Sequence, residues 1–309
     1  MALLGWIARH GRLVLIAGLV LGIAWPALAR AMEPLIVPLI VLLLFLAALR
    51  IGPEAARLHR AALGRALGLT VLFQTLMPLV AVALLYAFGW QASIVGLGVV
   101  LALAASPITG SPGLAILSGA DPVAALRQLV LGTALLPLTV LPVFWAMPVF
   151  PDPAATMAGA GRLMVIIAVA GGGALLLRRL LPRLLERASA AVAIDGLTAL
   201  VMAVVVIALM SAVGPALLAG EAALWGILAL VLVLNFGTQI AVWKSFSLLG
   251  AGQAAPSLGI VAGNRNLALF LGALPPETVE ALLLFVGCFQ VPMYLTPLIM
   301  ARVYRRVRE

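Results

Sequence analysis

The feature that most limits the fold of this chain is the length of its uncharged stretches. Between Arg65 and Asp121, residues 66–120 contain no charged side chain and no histidine. A helix needs about 20 apolar residues to cross the hydrocarbon core of a bilayer, so this run is long enough for two spans. Gly89-Trp90-Gln91 marks the expected turn between them. We therefore expect a polytopic membrane protein.

Composition narrows the class of protein. Of the 309 residues, 65% are hydrophobic and 9% are charged, whereas soluble globular proteins are about half apolar and a quarter charged. These fractions exclude a soluble enzyme, a disordered regulator and a nucleic-acid-binding domain, so the expected partner is the lipid bilayer. The single cysteine, Cys288, excludes an internal disulfide and a cysteine-based metal cluster. We expect no metal centre and no cofactor, and nothing in the sequence specifies an oligomeric state.

Charged residues divide the chain into apolar segments that predict an all-α membrane protein with ten transmembrane helices. Predicted helices 1 to 10 cover residues 13–31, 34–50, 66–89, 92–119, 122–148, 161–180, 192–213, 222–244, 254–273 and 277–301. If the N-terminus is cytoplasmic, the inner segments hold 16 of the 19 basic residues, and the outer loops hold only Arg30 and Arg162. The inner residues are Arg9, Arg12, Arg50, Arg57, Arg60, Arg65, Arg127, Arg178, Arg179, Arg183, Arg187, Lys244, Arg302, Arg305, Arg306 and Arg308. This distribution follows the positive-inside rule and predicts two cytoplasmic termini in a protein of the cell inner membrane.

The N-terminal segment has a second interpretation. Arg9, His10 and Arg12 precede an apolar run that ends in Ala27-Leu28-Ala29, which is the order of features in a cleaved signal peptide. We favour an ordinary first helix, because a retained cytoplasmic N-terminus fits the loop charges that follow.

Two segments of the chain resemble each other. GSPGLAILSGADP at residues 110–122 matches GNRNLALFLGALP at residues 263–275 in its first and last glycines, its Leu-Ala pair and its final proline. Pro137 and Pro142 are matched in the same way by Pro292 and Pro297. The chain is therefore predicted to be one transporter unit, 1–309, built from repeats at 1–150 and 151–309. Because each repeat holds five helices, an odd number, the two repeats insert with opposite orientation.

Predicted helices 4 and 9 are not expected to be continuous. Residues 106–113 contain two prolines and two glycines, and residues 263–266 form the polar sequence Gly-Asn-Arg-Asn. Unwound backbone at this depth is tolerated only inside protein or beside a cavity, so paired breaks indicate a binding site near the membrane midplane. The side chains predicted to bind substrate are Thr109, Ser111, Asn264, Arg265 and Asn266 at the breaks, with Asn235 and Gln239 from helix 8. The alternative is that each break is a packing kink and that the amides hold helices together.

Arg265 is the one basic residue that fits neither set of loops. A charge at the middle of a bilayer is unfavourable and usually has a function. The arginine fork pairs well with carboxylate, phosphate or sulfate groups, so one hypothesis makes Arg265 the anchor for a small organic anion. The alternative is that carbonyl groups freed by the break in helix 4 satisfy it.

These residues resemble the bile acid:sodium symporters, within the wider bile/arsenite/riboflavin transporter superfamily. The resemblance runs from about residue 34 to the C-terminus. It depends on Gln74 followed by Pro78, on the crossover at 107–111, on the helix with Pro137 and Pro142, and on the second crossover at Gly263-Asn264. It implies a panel of helices 1, 2, 6 and 7 and a core of helices 3–5 and 8–10, with helices 4 and 9 crossing. It also implies alternating access, with sodium behind the crossing and an organic anion in the cleft.

Several positions depart from the family pattern. Pro112 stands where sodium-dependent members have Asn, and Gly259 and Gly263 stand where they have Glu and Gln. Hydroxyl groups expected early in helix 5 fall on Ala125 and Leu129. Of the implied ion-binding residues only Gln74, Ser111 and Thr109 remain, a small ligand set for Na⁺. We therefore predict transport that is not strictly sodium-dependent, with the Arg265 guanidinium as a tethered substitute for the cation.

Other functions stay open at this point. A sodium-coupled symporter of bile-acid-like anions and a non-transporting membrane sensor are the nearest alternatives, and the drug/metabolite transporters share the ten-helix plan. Intramembrane enzymes are not expected, because the chain lacks paired Asp motifs, a Ser-His pair or a zinc motif at depth.

Overall fold

A computed structural model describes residues 2–51 and 60–305. Within these ranges every regular element is helical, as expected from the sequence. The α-helices are α1 (Ala2–Arg9), α2 (Gly11–Ala24), α3 (Pro26–Met32), α4 (Ile36–Ile51), α5 (Arg60–Val71), α6 (Met77–Ala87), α7 (Ile94–Ala104), α8 (Ser111–Leu117), α9 (Pro122–Thr139), α10 (Leu141–Trp145), α11 (Pro153–Leu180), α12 (Pro182–Leu185), α13 (Ala188–Leu209), α14 (Val213–Leu218), α15 (Ala222–Leu248), α16 (Ala255–Gly263) and α17 (Pro276–Arg305). Short 3₁₀ turns cover Glu33–Leu35, Gly252–Ala254 and Leu267–Gly272, and a π-helical turn covers Leu72–Leu76.

Seven helical segments in the described part of the chain are long and apolar enough to cross a membrane. They are Pro26–Ile51, Leu63–Ala87, Pro122–Trp145, Pro153–Leu180, Ala188–Leu209, Ala222–Leu248 and Pro276–Tyr304. An eighth candidate is the bent pair Leu3–Arg9 and Leu13–Ala24. The chain is therefore a polytopic helical membrane protein by length and composition. Predicted helices 4 and 9 each fall on two shorter helical pieces instead, so the count of ten spans stays a prediction.

The first predicted span differs from the structure. A continuous helix was expected over 13–31, but α2 ends at Ala24 and α3 begins at Pro26. Pro26 has no N–H to donate and its ring disfavours the helical conformation at the preceding residue. Trp25 accordingly takes φ −127° and ψ 75°. The apolar stretch from Pro26 then continues through the Glu33–Leu35 turn to Ile51.

The chain divides into two compact units, each of which draws on both halves of the sequence. Unit 1 comprises Met1–Glu54 and Met164–Leu224, and unit 2 comprises Ala55–Leu163 and Trp225–Glu309. The inverted repeat concerns helix orientation and stays a prediction. Of the basic residues used for the topology, Arg57, Arg306 and Arg308 lie outside the described residues, as does His59.

Unit 1 is organised around α13, which packs against α1, α2 and α4. Gly18 and Gly22 lie one helical turn apart on α2, and a Cβ on either would come within 2.8 Å of a carbonyl oxygen of α13, at Ala203 or Ile207. This small-xxx-small spacing lets two helix backbones approach closely. Arg50 also donates to Asp195 at 2.8 Å, and Arg178 donates to the Leu49 carbonyl oxygen, which lies near the end of α4.

Unit 2 holds the predicted crossover helices. Its buried apolar cluster includes Phe73, Ala115, Val242, Trp243, Ile260 and Tyr304. The helix that follows the first crossover begins where expected, because Asp121 Oδ1 accepts a hydrogen bond from the Val123 N–H and Pro122 occupies the first turn. The turn expected at Gly89-Trp90-Gln91 is also present, with Gly89 at φ 71°.

Candidate functional site

The two predicted helix breaks are present in unit 2, and they lie against each other. Pro107 and Arg265 form an isolated antiparallel β-bridge. The Ile108 N–H donates to the Asn264 carbonyl oxygen at 2.9 Å, and the Asn266 N–H donates to the Ser106 carbonyl oxygen at 2.8 Å. Backbone groups that leave the helices at this depth therefore satisfy each other, as burial away from water requires. We call residues 105–110 and 264–266 the crossing.

Local sequence explains where each helix stops. The helix α7 ends before Ala105-Ser106-Pro107, and Ala105 takes an extended ψ of 154°. Pro107 removes one backbone donor and disfavours helix at Ser106, while Pro112 is tolerated in the first turn of α8. On the other strand of the bridge, Asn264 leaves α16 with φ −97° and ψ 93°.

Arg265 is enclosed at the crossing, with 2% of its surface exposed. Its Nε donates to the Ala262 carbonyl oxygen at 2.8 Å, and its Nη1 donates to the Ala105 carbonyl oxygen at 3.0 Å. These oxygens belong to the C-terminal ends of α16 and α7, where the helix dipoles concentrate negative charge. The guanidinium therefore lies at a point that two helices make favourable for a cation. This arrangement matches the alternative reading from the sequence, in which carbonyls of the break satisfy Arg265.

Phe73 completes the surroundings of the guanidinium, and sequence reasoning missed it. The Arg265 Cζ lies 5.4 Å from the centroid of the Phe73 ring, within the range of a cation–π interaction. Phe73 and Gln74 are buried on the π-helical turn Leu72–Leu76, whose Leu72 carbonyl oxygen accepts from the Met77 N–H. The sequence signal for this π-helical turn is Pro78. Proline has no backbone N–H to donate to the carbonyl oxygen of Gln74, four residues earlier, and this favours a locally widened helix.

Four buried polar side chains form one hydrogen-bond network beside the second break. Asn235 Nδ2 donates to the Gly263 carbonyl oxygen at 2.7 Å, and Gln239 Nε2 donates to Asn235 Oδ1 at 2.6 Å. Thr296 Oγ1 accepts from Gln239 Nε2 and donates to Asn264 Oδ1, both at 3.0 Å. The structure thus brings together three of the predicted residues, Asn235, Gln239 and Asn264. Thr296 was missed, because a lone Thr in an apolar helix gives no signal of its own.

A smaller network stands beside the first break. Thr139 Oγ1 donates to Gln74 Oε1 at 2.8 Å, and Gln74 Nε2 donates to the Gly132 carbonyl oxygen at 3.0 Å. A Cβ at Gly132 would lie 3.0 Å from the Pro107 Cδ, so this helix packs directly on the crossing. Each break therefore has a Gln-Thr hydrogen bond next to it.

The remaining predicted residues divide into two groups. Ser111 is fully buried and donates to the Ile108 carbonyl oxygen at 2.6 Å, across its own break. Thr109 and Asn266 are partly exposed, and Gly110 is exposed. Among the predicted set, Thr109 and Asn266 are therefore the side chains that a ligand at the crossing can reach without rearrangement.

Three buried polar atoms, two at the crossing and one beside it, have no hydrogen-bond partner among the described residues. They are Nη2 of Arg265, Oε1 of Gln239 and Oγ of Ser106. Buried polar groups are nearly always paired, so a cluster of exceptions indicates unused hydrogen-bonding capacity. A donor from arginine and an acceptor from glutamine could serve a polar ligand or a second conformation.

The residues present do not fit a sodium ion at the positions that the family resemblance implies. Gln74, Ser111 and Thr109 supply three side-chain oxygens, too few to replace the hydration shell of sodium, and the Gln74 amide is already bonded at both ends within the protein. A Cβ at Gly259 would meet the Gln239 carbonyl oxygen at 2.6 Å, and one at Gly263 would meet that of Asn235 at 2.5 Å. The helices are therefore too close for the Glu and Gln side chains of sodium-dependent members. Within the described residues no cluster of three His, Cys, Asp or Glu could hold a metal ion either.

Comparison with protein-family models and with curated proteins finds no match for this chain.

Proposed function

We propose that this protein is a secondary transporter that moves a small organic anion by alternating access and does not strictly require sodium. The observation that carries the proposal is the pair of helix breaks, joined by a backbone bridge and by the buried guanidinium of Arg265. Two interrupted helices that meet inside the bilayer are typical of transporter binding sites and are unfavourable in a protein that needs only to pack.

Charge at the crossing supports an anionic substrate. Arg265 supplies one positive charge, and residues 105–110 and 264–266 include no acidic side chain. In the proposed arrangement Thr109 and Asn266 contact the substrate directly. Asn235, Gln239, Asn264 and Ser111 hold the breaks in place, and Arg265 acts on the substrate through its charge and its free Nη2.

The division into compact units supports the panel-and-core plan of the bile acid:sodium symporters. Unit 1 contains the residues of predicted helices 1, 2 and 7 and most of helix 6, and unit 2 contains those of predicted helices 3–5, 9 and 10 and all but the first three residues of helix 8. Alternating access in that plan needs one unit that carries the crossing and another that can move against it.

The position of Arg265 supports independence from sodium. A coupling cation stabilises helix ends whose carbonyls converge, and it does so only while it is bound. Arg265 supplies the same charge permanently from within the chain, because its Nε and Nη1 already occupy the carbonyls of Ala262 and Ala105. A site that always contains its cation gains nothing from a sodium gradient.

Uptake into proteoliposomes tests the proposal. A thermal-shift screen of pyruvate, benzoate, methanesulfonate and taurocholate, run in sodium and in choline buffer, selects the anion to be used. We expect its initial rate of uptake to differ by less than about twofold between an inward sodium gradient and an equal choline gradient. Strong sodium stimulation would sink the sodium-independent mechanism. If an anion stabilises the protein but is not taken up, the result would instead favour a non-transporting membrane sensor. The enclosure of Arg265 at the crossing is also compatible with that alternative.

A further inference from the structure

Unit 2 carries a second feature that the transport mechanism does not use, an open groove of about 510 Å³. Its walls come from the second half of α5 and the π-helical turn after it, from the first two turns of α9, from the end of α15, and from the start of α16 with the turn before it. The volume lies in the range of ligand-binding pockets. We call it the basic groove, because Arg65 and Arg127 stand at it.

The charged side chains that line the basic groove are both positive. Arg65 on α5 and Arg127 on α9 are both exposed, and the two helices pack against each other. No acidic residue lines the groove within the part of the chain that the structure describes. Beneath the arginines, the amide of Gln128 bonds to Thr70 and to the Ala66 carbonyl oxygen, which ties the two helices together. Two guanidinium groups on helices that are held together by hydrogen bonds are well suited to bind a phosphate group.

The interior of the groove is apolar. Leu69, Leu72, Leu258 and Phe246 line it beyond the arginines. Two residues after Phe246 the chain presents Leu248 and then Leu249, which are 89% and 77% exposed. Exposed leucines beside an apolar groove are unfavourable in water but suit contact with acyl chains at the edge of a bilayer. The surface therefore combines anion recognition with a hydrophobic lining, as an amphiphilic anion requires.

We propose that the basic groove is a binding site for an anionic phospholipid. Arg65 and Arg127 hold the headgroup phosphate, and the acyl chains lie along Leu69, Leu72 and Phe246 towards Leu248 and Leu249. A free anion of the same chemistry would use the arginines and leave the leucines without a role. Basic pockets between transmembrane helices at the cytoplasmic side bind acidic headgroups in this way, and the charge pattern of the sequence places both arginines on that side.

The site has a physical connection to the crossing. The Phe246 ring lies 6.1 Å from the Phe73 ring, in an edge-on arrangement, and Phe73 covers the guanidinium of Arg265. A bound lipid that orders Phe246 therefore also stabilises the packing over Arg265. We expect lipid binding to raise the thermal midpoint of the whole of unit 2.

The test measures lipid binding by the purified full chain in detergent and does not require transport. Dioleoyl-phosphatidylglycerol, dioleoyl-phosphatidylcholine and free glycerol 3-phosphate are compared by native mass spectrometry and by thermal shift. We expect binding and stabilisation by phosphatidylglycerol only. The double variant Arg65→Gln/Arg127→Gln should bind it about 30-fold more weakly, since each basic residue near an anionic lipid contributes about fivefold.

A matched control removes the same charge elsewhere, at the exposed residues Arg179 and Arg302, as Arg179→Gln/Arg302→Gln. It should bind phosphatidylglycerol like the unaltered protein. Equal stabilisation by glycerol 3-phosphate would overturn the proposal in favour of a free-anion site. Unchanged lipid binding by the Arg65/Arg127 variant would overturn it as well. If that variant does not fold, Arg65→Lys/Arg127→Lys keeps the charge, and it should retain phosphatidylglycerol binding; its failure to do so would contradict a charge-based headgroup site.

Discussion

At the scale of single residues, the balance around Arg265 explains how a charge is stable inside the bundle. Placing arginine at the centre of a membrane helix costs about 2.5–3.5 kcal/mol on insertion scales. Hydrogen bonds to charged groups contribute about 1.5–3 kcal/mol each, and Arg265 makes two, with a cation–π contact of about 0.5–2 kcal/mol. These contacts offset the cost without any anionic partner. The guanidinium of Arg265 therefore stabilises the two helix ends at the crossing. In the proposed mechanism it attracts the substrate from that fixed position.

Removal of this side chain should leave a defined defect. In Arg265→Ala, the carbonyl oxygens of Ala105 and Ala262 lose their donors, at a cost of about 1–3 kcal/mol each. We expect a lower thermal midpoint and loss of uptake. Because the vacated space is shaped by two carbonyls and the Phe73 ring, millimolar guanidinium chloride should restore part of the stability.

Arg302→Ala is the control, since this exposed arginine lies on α17 and outside the crossing. Millimolar guanidinium should leave its midpoint unchanged relative to choline chloride. Equal effects of guanidinium on both variants, or an Arg265→Ala protein as stable as the original, would contradict a role for Arg265 at the helix ends.

The sequence identified Arg265 but not all of its surroundings. Arg265 was visible because a charge within an apolar span is rare. Phe73, Thr139 and Thr296 were not, because the spans are apolar on every side, so no periodic pattern shows which face is turned inward. Their roles depend on which helices become neighbours, and that information lies in residues far apart in the chain.

At the scale of elements, the breaks could be predicted and their pairing could not. Proline, glycine and adjacent polar residues interrupt a helix for local reasons that the sequence shows directly. The bridge between Pro107 and Arg265 depends on two segments meeting in one register. The break at Trp25 was not predicted although Pro26 is a local signal for it. The continuous hydrophobicity of residues 13–31 was given more weight than the proline.

Close packing of α16 on α15 should be sensitive to a single methyl group. In Gly263→Ala the new Cβ would lie 2.5 Å from the Asn235 carbonyl oxygen, so the two helices must separate and strain the network at Asn264. Overpacking of this kind costs about 1–3 kcal/mol. We expect a reduced thermal midpoint and slower uptake.

Gly237→Ala tests whether space, rather than loss of glycine, causes the effect. Gly237 lies on α15, and a Cβ there meets nothing within 4 Å. Alanine is favoured over glycine in a helix interior by about 0.5–1 kcal/mol, so the midpoint should stay the same or rise. A similar fall in both variants would argue against close contact at Gly263.

At the scale of the whole molecule, polytopic helical architecture followed from composition, while the number and orientation of spans stay predictions. Within unit 1, Arg50 and Arg178, both predicted to be cytoplasmic, lie near the ends of α4 and α11, and Arg178 donates to the Leu49 carbonyl oxygen of α4. Arg50 also pairs with Asp195 on α13, an exposed ion pair that contributes little stability. The contact of Arg178 brings the ends of α4 and α11 together on one side.

Site-directed labelling can determine the orientation. The only cysteine, Cys288, is buried, so Cys288→Ala gives a background without reactive thiols. In right-side-out vesicles, a membrane-impermeant maleimide should label Trp90→Cys in the outer turn and leave Arg183→Cys, at a predicted inner position, unlabelled until the vesicles are opened. Both positions are exposed. The reverse pattern would invert the topology and place the basic groove on the outer face.

The bridge at the crossing also has a consequence for biosynthesis. Pro107 and Arg265 are 158 positions apart, and ribosomes add about 5–20 residues per second. The Ser106 carbonyl and the Ile108 N–H therefore wait roughly 8 to 30 seconds for their partners. During that time the first half of the chain is already entering the membrane with an incomplete crossover. The insertion machinery has to shelter these groups until their partners are synthesised. We therefore expect the protein to be most vulnerable to quality-control proteolysis when synthesis slows or stops between the two breaks.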